Sequence, residues 1–400
     1  MTYKLLSFFT GAGLLDIGFR NVGFDSVWHN EFNPAYLTGF KYGMNSLYGL
    51  TENELNIKQG SITNISYSEI KRNTPNNLLR NGNFGVIGGP PCPDFSNGGK
   101  HKGSEGENGK LTGIYIDVIL ELKPEFFVLE NVKGLIQKTK HRNYLFSLMK
   151  KVSKDYYFDL NLLNALEFGV PQDRERVFFI GFRKDSLMEK KGVTFCQHIQ
   201  ALNNISLTSN FSTKALSTRL NWFDWPVDSR FVGAKTLFEW PNLSPYGKTP
   251  KLSSTLPERL TVGASVFNES INNLPNQDDT FRAFSEKFHQ IKEGDVSRKS
   301  FKRLHRWRYS PTAAYGNNEV HLHPWLPRRL SVREVMRIQS VPDEYSLPFD
   351  MTLTDKFKTI SNGVPVILAE RIAEQVASFL KSNSYEIPEN VNTELLTKVC

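Results

Sequence analysis

Cysteine is scarce in this sequence, which has only three among 400 residues. Cys92, Cys196 and Cys400 are too few for a disulfide framework and too scattered for C-x-x-C metal spacing. Internal repeats and low-complexity tails are also missing. The sequence therefore predicts no metal site, and a cysteine with a special role needs a chemical explanation.

Long apolar runs are missing as well. No run approaches the roughly 18 apolar residues that mark a membrane-spanning helix. The short apolar segment 5–9 is followed by Gly11, Gly13 and Asp16 and by no small-x-small cleavage site, so we interpret it as a strand and its turn rather than a signal peptide. We predict a cytoplasmic protein with no membrane partner.

Hydrophobic residues make up 39% of the chain and charged residues 22%, a balance that excludes intrinsic disorder and favours a large core. At roughly 100–200 residues per domain, the length suggests two domains or one with a large insertion. The net charge of +8 is only a weak hint of a polyanionic partner, because the excess is spread over 400 residues.

Short apolar runs alternate with helical patterns as far as residue 184, which is typical of β-α units and a largely parallel sheet. We predict strands over residues 3–9, 26–30, 84–87, 126–130, 158–163 and 176–182, and helices over 14–22, 114–122, 331–340 and 364–380. The intervening stretch has dispersed Pro, Trp, Asn and Ser and no sustained helical period. The fold class is therefore α/β, with one domain of residues 1–185 and 328–400 and a smaller, irregular or β-rich module at 186–327.

A glycine-containing turn lies between the first strand and helix. Phe9, Gly11 and Gly13 stand where glycines let the backbone approach a ligand at a helix N-terminus. Glu31 ends the second strand, a position from which an acid can bind ribose hydroxyls. Together they suggest a nucleoside-bearing cofactor, and NAD stays possible although Asp16 replaces the third glycine of G-x-G-x-x-G.

The segment 88–96, Gly-Gly-Pro-Pro-Cys-Pro-Asp-Phe-Ser, is more specific. It holds Cys92 stiffly between prolines just after a strand, at the sheet edge where α/β enzymes carry out their chemistry. A single cysteine is more often an inert core residue, but a core needs no such rigid loop. A nucleophilic role would require cations or helix dipoles that stabilise the thiolate.

Two further segments carry charge at strand ends. Glu130 ends an apolar strand, where it either pairs internally or waits for a substrate. Arg174 and Arg176 alternate in the segment 169–176, so both could present guanidinium groups to phosphates or to a base edge. The plainer interpretation is a surface salt-bridge face that uses Asp173 and Glu175.

The order of these segments resembles the motif series of DNA cytosine C5-methyltransferases. The matching segments are Phe9-x-Gly11-x-Gly13, Glu31, Pro91-Cys92, Glu130-Asn131-Val132, Gln172-x-Arg174-x-Arg176, Arg329–Glu334 and Asn362–Pro365. The resemblance implies an S-adenosylmethionine-dependent, Rossmann-like methyltransferase domain and, in the variable middle, a smaller target-recognition domain across a DNA cleft. It covers the chain outside the middle module.

The resemblance also implies catalytic roles. Cys92 would add to C6 of cytosine and so make C5 nucleophilic, while Glu130 would hold N3 and the exocyclic amine. Arg176 would contact the base near O2 and orient Cys92, and Arg174 would meet backbone phosphate. Because C6 is unreachable inside a duplex, the base must be flipped out, and the Gly-rich loop 97–113 would close over it.

The resemblance implies binding residues as well. For the cofactor S-adenosylmethionine these are Phe9, Gly11, Gly13, Glu31, Leu111 and Asn362; for DNA they include Ser96, Lys100 and Gln172. Three positions depart from the family pattern. Ser61 stands where an acid often contacts adenine, Pro93 replaces a glutamine, and Ser361 replaces a glycine in a predicted loop.

The middle module contains a cationic stretch between residues 298 and 308 with interleaved aromatics and no acids. Such a stretch suits phosphate contact, with Arg303 and Arg306 as DNA-binding candidates, although a solvated helical face is the plainer alternative. The leading hypothesis is a sequence-specific methyltransferase for double-stranded DNA that acts as a monomer, with a cognate restriction endonuclease acting independently. The alternatives are a tRNA cytosine methyltransferase, a catalytically silent DNA-binding protein and, least favoured, an NAD oxidoreductase.

Overall fold

The computed structural model describes residues 3–74, 78, 83–91, 107–137, 139–186, 223–282, 285–298, 300–313 and 320–382. Its strands are β1 Lys4–Phe8, β2 Asp25–Glu31, β3 Ile57–Gln59, β4 Phe84–Gly88, β5 Phe126–Val132, β6 Tyr156–Asn164, β7 Gln172–Asp173, β8 Glu175–Arg183, β9 Lys302–Arg303, β10 Ser310–Pro311 and β11 His321–Leu322. Its α-helices are α1 Leu14–Asn21, α2 Pro34–Tyr48, α3 Glu52–Leu55, α4 Tyr67–Asn73, α5 Glu107–Leu122, α6 Gly134–Gln137, α7 Thr139–Val152, α8 Ala234–Leu237, α9 Val262–Ser265, α10 Val332–Ile338, α11 Leu353–Asn362 and α12 Val366–Lys381.

Seven of the described strands form one sheet in the order β3-β2-β1-β4-β5-β8-β6. The first five of these run parallel, whereas β8 is antiparallel to both β5 and β6. The predicted largely parallel α/β sheet is therefore confirmed. Because β8 runs the opposite way, its first residues meet the carboxyl end of β5, and Arg176 pairs with Val132.

Helices cover both faces of this sheet. Successive residues of β5 alternate between two apolar clusters, with Phe127 and Leu129 on one side and Phe126 and Val128 on the other. The first cluster includes residues of α5 and α7, and the second includes residues of α1 and α12. Burial on both faces explains why the central strands read as continuous apolar runs.

Helix α2 did not emerge from the sequence pattern. Asn33 caps it by accepting from the backbone N–H groups of Ala35 and Tyr36, and Pro34 stands at its first position. The helix contains Gly39 and Gly43, which weaken the helical pattern of the sequence but let neighbouring side chains pack closely against the helix. A Cβ at Gly43 would overlap the ring of Tyr345.

Helix α5 begins at Glu107, so residues 107–113 are helical and not part of the predicted loop 97–113. Gly113 fits this helix because Tyr144 approaches it closely: a Cβ there would lie 2.8 Å from the Tyr144 hydroxyl. Residues 97–106 lie outside the described part of the chain. Ser361 likewise belongs to the last turn of α11 and not to a loop.

The described part of the middle module is irregular. Its strands there are the two-residue β9, β10 and β11, and short helical turns precede them, so the β-rich alternative is not borne out for these residues. The module also shares its core with the rest of the chain. Phe223 and Trp225 pack in the cluster that contains α12, and Val262 and Leu304 pack in a third cluster with residues of α1, α2 and α10. Among the described residues no helix is long and apolar enough to cross a membrane.

Candidate active site

The glycine turn after β1 folds back on the end of β2. Phe9, Gly11 and Gly13 all have positive φ, at 54°, 59° and 73°. A Cβ at Gly13 would lie 2.6 Å from the ring of Phe40, so glycine is needed there for packing as well as for its backbone angle. The amide of Gly11 donates to Oε2 of Glu31 over 2.8 Å, which joins the two predicted parts of the cofactor site.

Glu31 is buried at the carboxyl edge of the sheet. Its Oε1 accepts from the amide of Asn33 over 2.7 Å, so each carboxylate oxygen has one backbone donor. Burial raises the pKa of Glu31, and the backbone donors at Asn33, Gly11 and Phe32 oppose that rise. A carboxylate has about four acceptor sites, so Glu31 keeps capacity for the hydroxyl groups of a ribose.

Two aromatic residues beside Glu31 escaped the sequence analysis. Phe32 follows it directly and is 69% exposed, which leaves its ring available to pack against a planar base. Tyr36 lies in α2, and its hydroxyl accepts from Nδ2 of Asn362 over 3.0 Å. Asn362, predicted at the cofactor, is therefore joined to the side of the sheet where Glu31 lies. The position of Phe32 next to Glu31 was the available signal for it.

A buried polar cluster lies beneath the glycine turn. Asp16, in α1, accepts from the hydroxyls of Ser7 and Ser26 over 2.9 Å and 2.8 Å. Nε2 of His29 lies 3.7 Å from Oδ1 of Asp16. Burial raises the pKa of Asp16 and lowers the pKa of His29, so the low dielectric disfavours charge on both. Asp16, which replaces the third glycine of G-x-G-x-x-G, is thus part of a buried hydrogen-bond network that supports the turn.

The base side of the site is built on β5 and β8. Oε1 of Glu130 lies 2.8 Å from Nε of Arg176, and both side chains are about nine-tenths buried. Burial raises the pKa of Glu130, while Arg176 and then Arg174 lower it. A Cβ at Gly89 would lie 2.8 Å from Oε2 of Glu130, so glycine is required where the Gly-Gly-Pro-Pro segment passes this carboxylate.

The segment that precedes Cys92 is tied to the same strand. Nδ2 of Asn131 donates to the carbonyl of Pro90 over 3.3 Å. Cys92, Ser96 and Lys100 lie outside the described residues. The last described residue before them is Pro91, two residues after Gly89, which adjoins the Glu130 carboxylate.

Arg174 does not reach the surface, contrary to the expectation of a phosphate contact. It is 1% exposed, and its guanidinium donates to the carbonyls of Ala313, Ser361 and Gly363. Gln172, predicted at the DNA, is also fully buried and donates to Gln339. We correct both expectations: these buried side chains join distant parts of the chain, since the Nη atoms of Arg174 donate to backbone carbonyls and Gln172 bonds to Gln339 and Ala313.

The acids of the same segment do form surface ion pairs. Nζ of Lys235 lies 2.6 Å from Asp173, and Nζ of Lys133 lies 2.7 Å from Glu175. The interpretation of segment 169–176 as a surface salt-bridge face is thus correct for Asp173 and Glu175. Arg176 and Arg174 are the exceptions, since one pairs with Glu130 and the other with carbonyls.

The two arginines predicted to bind DNA in the cationic stretch are also internal. Arg303 is fully buried and donates to the carbonyls of Phe288, Ile291, His323 and Leu326. Arg306 forms two hydrogen bonds with the carboxylate of Glu293, which is itself 1% exposed. We correct these expectations too: backbone carbonyls hold the guanidinium of Arg303, and a buried carboxylate holds that of Arg306.

Leu111 lies in α5 and packs, like Phe9, against the cluster that contains Tyr115. Ser61 caps the turn Ile62–Asn64 beside β3. Among the described residues no group of three or more His, Cys, Asp and Glu side chains could hold a metal ion. That the whole protein has no metal site stays a prediction. The glycine turn, Glu31 and Asn362 on one side and Glu130 with Arg176 on the other therefore form the candidate site.

Comparison with known proteins supports the resemblance to DNA cytosine C5-methyltransferases. A family model described as C-5 cytosine-specific DNA methylase matches residues 3–378. The Type II methyltransferase M.NmeDI of Neisseria meningitidis serogroup C is 42% identical over 393 residues, which cover 96% of this chain and 85% of the relative. The Type II methyltransferase M.FnuDI of Fusobacterium nucleatum is 28% identical over 404 residues, which cover 94% and 95%.

A solved structure shows the same fold at low identity. The S. pombe Dnmt2 methyltransferase matches 96% of this chain and 100% of its own with a TM-score of 0.58 and 11% identity. The fold, the motif order and the extent of the family match agree across nearly all of the chain. The chain therefore belongs to the C-5 cytosine-specific DNA methylase family, the enzymes that transfer a methyl group from S-adenosylmethionine to cytosine in DNA.

Proposed function

We propose that this enzyme methylates cytosine at C5 within a specific sequence of double-stranded DNA, with Cys92 as its nucleophile. The observation that carries the proposal is the buried Glu130–Arg176 pair at the sheet edge, beside the segment that leads to Cys92. A duplex hides C6 of cytosine, so the base must leave the stack and enter this site.

The chain's own residues divide the chemistry between them. The Cys92 thiolate attacks C6 and the C5–C6 double bond opens, which moves electron density toward N3 and C5. Glu130 then stabilises N3: burial raises the pKa of its carboxyl and so favours the protonated form that donates a hydrogen bond. Arg176 provides a fixed positive charge near O2 of the base. Once C5 has gained its methyl group, a base takes the C5 proton, the C5–C6 double bond re-forms, and the C6–S bond breaks to return the Cys92 thiolate.

The cofactor side fits S-adenosylmethionine. The buried Glu31 carboxylate suits the ribose hydroxyls, exposed Phe32 suits the adenine, and the space beside Gly11 leaves room for close approach. Asn362 closes this side through its hydrogen bond to Tyr36. When bound, S-adenosylmethionine supplies a methyl group on a sulfonium, which is the electrophile that C5 requires.

The biological role that we propose is protective modification. The relatives M.NmeDI and M.FnuDI carry the name Type II methyltransferase, which supports a place in a restriction-modification system. We further propose that residues 186–327 form the target-recognition domain and that the enzyme acts as a monomer in the cytoplasm, independently of a cognate endonuclease. Family membership argues against the NAD alternative, and the intact Glu130–Arg176 pair argues against a silent DNA-binding protein.

The direct test is methyl transfer from tritiated S-adenosylmethionine by the purified protein. We expect label in duplex DNA and none in tRNA, and we expect Cys92→Ser to abolish it. Cys196→Ser is the matched control and should retain activity. Bisulfite sequencing of a plasmid from cells that express the enzyme then gives the target sequence. Transfer to tRNA alone would replace the DNA assignment by the tRNA alternative, and full activity of Cys92→Ser would overturn the mechanism.

A further inference from the structure

Arg174 holds the segment that carries Asn362 from both sides. Its Nη2 donates to the carbonyls of Ser361 and Gly363, each over 2.8 Å, and these two residues flank Asn362. One guanidinium nitrogen thus fixes the backbone immediately before and after a residue expected at the cofactor. A planar group with several fixed donors suits such a double contact, which a lysine ammonium does not reproduce.

Two buried amides extend this contact. Nε2 of Gln339 donates to the carbonyls of Ile360 and Gly363, over 3.0 Å and 3.1 Å. Its Oε1 in turn accepts from Nε2 of Gln172 over 2.8 Å. Both glutamines are fully buried. The turn at residues 360–363 is therefore held by a connected set of side chains, and buried polar groups of this kind are costly to leave unpaired.

The held segment lies against the start of α1. A Cβ at Gly363 would lie 2.5 Å from Cδ1 of Leu14, the residue after Gly13. Nδ2 of Asn362 meanwhile reaches the hydroxyl of Tyr36, whose pKa is raised by burial and then by the nearby Glu31 carboxylate. Movement of 361–363 would thus be transmitted to the cofactor side of the site.

The same arginine borders the base side and the middle module. Burial raises the pKa of Glu130, and Arg176 and then Arg174, which stands two residues before it, lie near enough to oppose that rise. Nη1 of Arg174 donates to the carbonyl of Ala313 over 3.1 Å, while the amide of Ala313 donates to Oε1 of Gln172 over 2.9 Å. One buried junction therefore touches the base side, the cofactor side and the end of the middle module.

We propose that Arg174, with Gln339 and Gln172, is a positioning residue that fixes the Asn362 segment relative to the Glu130–Arg176 pair. The inference rests on the proposed function, since it concerns alignment of cofactor and base in that site. It gives Arg174 a task other than phosphate contact. Precise alignment of reacting groups has large effects on rate, and a displacement of about 1 Å can cost about 100-fold.

The test compares Arg174→Lys and Gln339→Met with the wild-type enzyme. We expect the dissociation constant of S-adenosylhomocysteine, measured by calorimetry, to rise at least fivefold in both variants, and the KM for S-adenosylmethionine to rise in parallel. The slope of log Kd for DNA against log salt should stay unchanged, because no phosphate contact is removed. Arg303→Lys is the matched control, since it alters an equally buried, carbonyl-bound arginine whose partners lie elsewhere.

The control separates positioning from general support of the fold. Arg303→Lys should lower the melting temperature while leaving S-adenosylhomocysteine binding unchanged. Unchanged binding in Arg174→Lys and Gln339→Met would overturn the proposal, as would a salt slope lower by about one in Arg174→Lys, which signals a lost phosphate. If Arg174→Lys does not fold, Gln339→Met decides on the same criteria. Absence of methyl transfer by the wild-type enzyme would instead refute the proposed function.

Discussion

Nε of Arg176 lies 2.8 Å from Oε1 of Glu130, and the pair occupies the point where β8 meets the carboxyl end of β5. The two side chains are 12% and 11% exposed, so their mutual attraction is weakly screened by solvent. The arginine opposes the effect of burial on the carboxyl, which would otherwise hold it more strongly in the neutral form.

Arg176→Ala should therefore be costly for both stability and activity. Breaking a buried pair leaves an uncompensated charge, for which about 3–5 kcal/mol is typical. The pKa of Glu130 should rise further above its unfolded value, so the folded state will bind its proton more tightly. The stability lost in the variant should consequently grow as pH rises from 5 to 8.

Urea denaturation at several pH values measures this effect, and a tritium transfer assay should show a loss of at least about 100-fold, as for other lost electrostatic stabilisers. Lys133→Ala is the control, because it breaks the half-exposed pair with Glu175 and should change stability by less than about 1 kcal/mol. A destabilisation of Arg176→Ala that does not vary with pH would contradict the coupling to Glu130.

Gly89→Ala should reduce methyl transfer without unfolding the enzyme. Its Cβ would lie 2.8 Å from Oε2 of Glu130, a distance that requires the carboxylate to move. Activity should fall by about 10- to 100-fold, because misplacement by about 1 Å is enough for such losses. Thermal melting checks that the fold is retained, and an active variant with unchanged kcat would show that Glu130 tolerates displacement.

Glu31 should make cofactor binding depend on pH. Its pKa is raised by burial, and only the ionised form accepts hydrogen bonds at both oxygens. Affinity for S-adenosylhomocysteine should thus fall as pH drops through the raised pKa of Glu31. Calorimetry between pH 5 and 8 measures this, and Glu31→Gln should bind more weakly at pH 8 and show a flatter pH profile. Glu54→Gln, a change at an exposed helix terminus, should preserve the wild-type profile.

The sequence predicts strand ends well because the relevant signals are local. Glu31 and Glu130 each end a predicted strand, and the structure has both at the carboxyl edge of one sheet. The partners of buried cations are not local. Arg174 bonds to residues 187 and 189 positions away, so a pattern of alternating charges cannot distinguish its carbonyl partners from phosphate.

The same reasoning applies to the cationic stretch, where composition suggested DNA contact. Arg303 and Arg306 find their acceptors within the middle module, and only the folded chain brings those acceptors together. Arg298, in contrast, has a side chain that is 55% exposed and pairs with Asp295. Net charge is thus only a weak hint of the class of partner, while burial decides which residues are able to meet it.

Arg303→Ala should destabilise the protein instead of weakening its phosphate contacts. The variant leaves the carbonyls of Phe288, Ile291, His323 and Leu326 without their donor. Each buried group left unsatisfied costs about 1–3 kcal/mol, so a total loss of several kcal/mol is expected in urea denaturation. Arg298→Ala, at the exposed site, should change stability by less than about 0.5 kcal/mol.

The salt dependence of DNA binding decides between the two roles. A lost phosphate contact lowers the slope of log Kd against log salt by about one, whereas a lost internal bond does not. We expect Arg303→Ala to keep the wild-type slope at temperatures where it is folded. Arg306→Ala should behave in the same way, because it leaves the buried carboxylate of Glu293 without its partner. A reduced slope in either variant, together with wild-type stability, would return that arginine to the DNA surface.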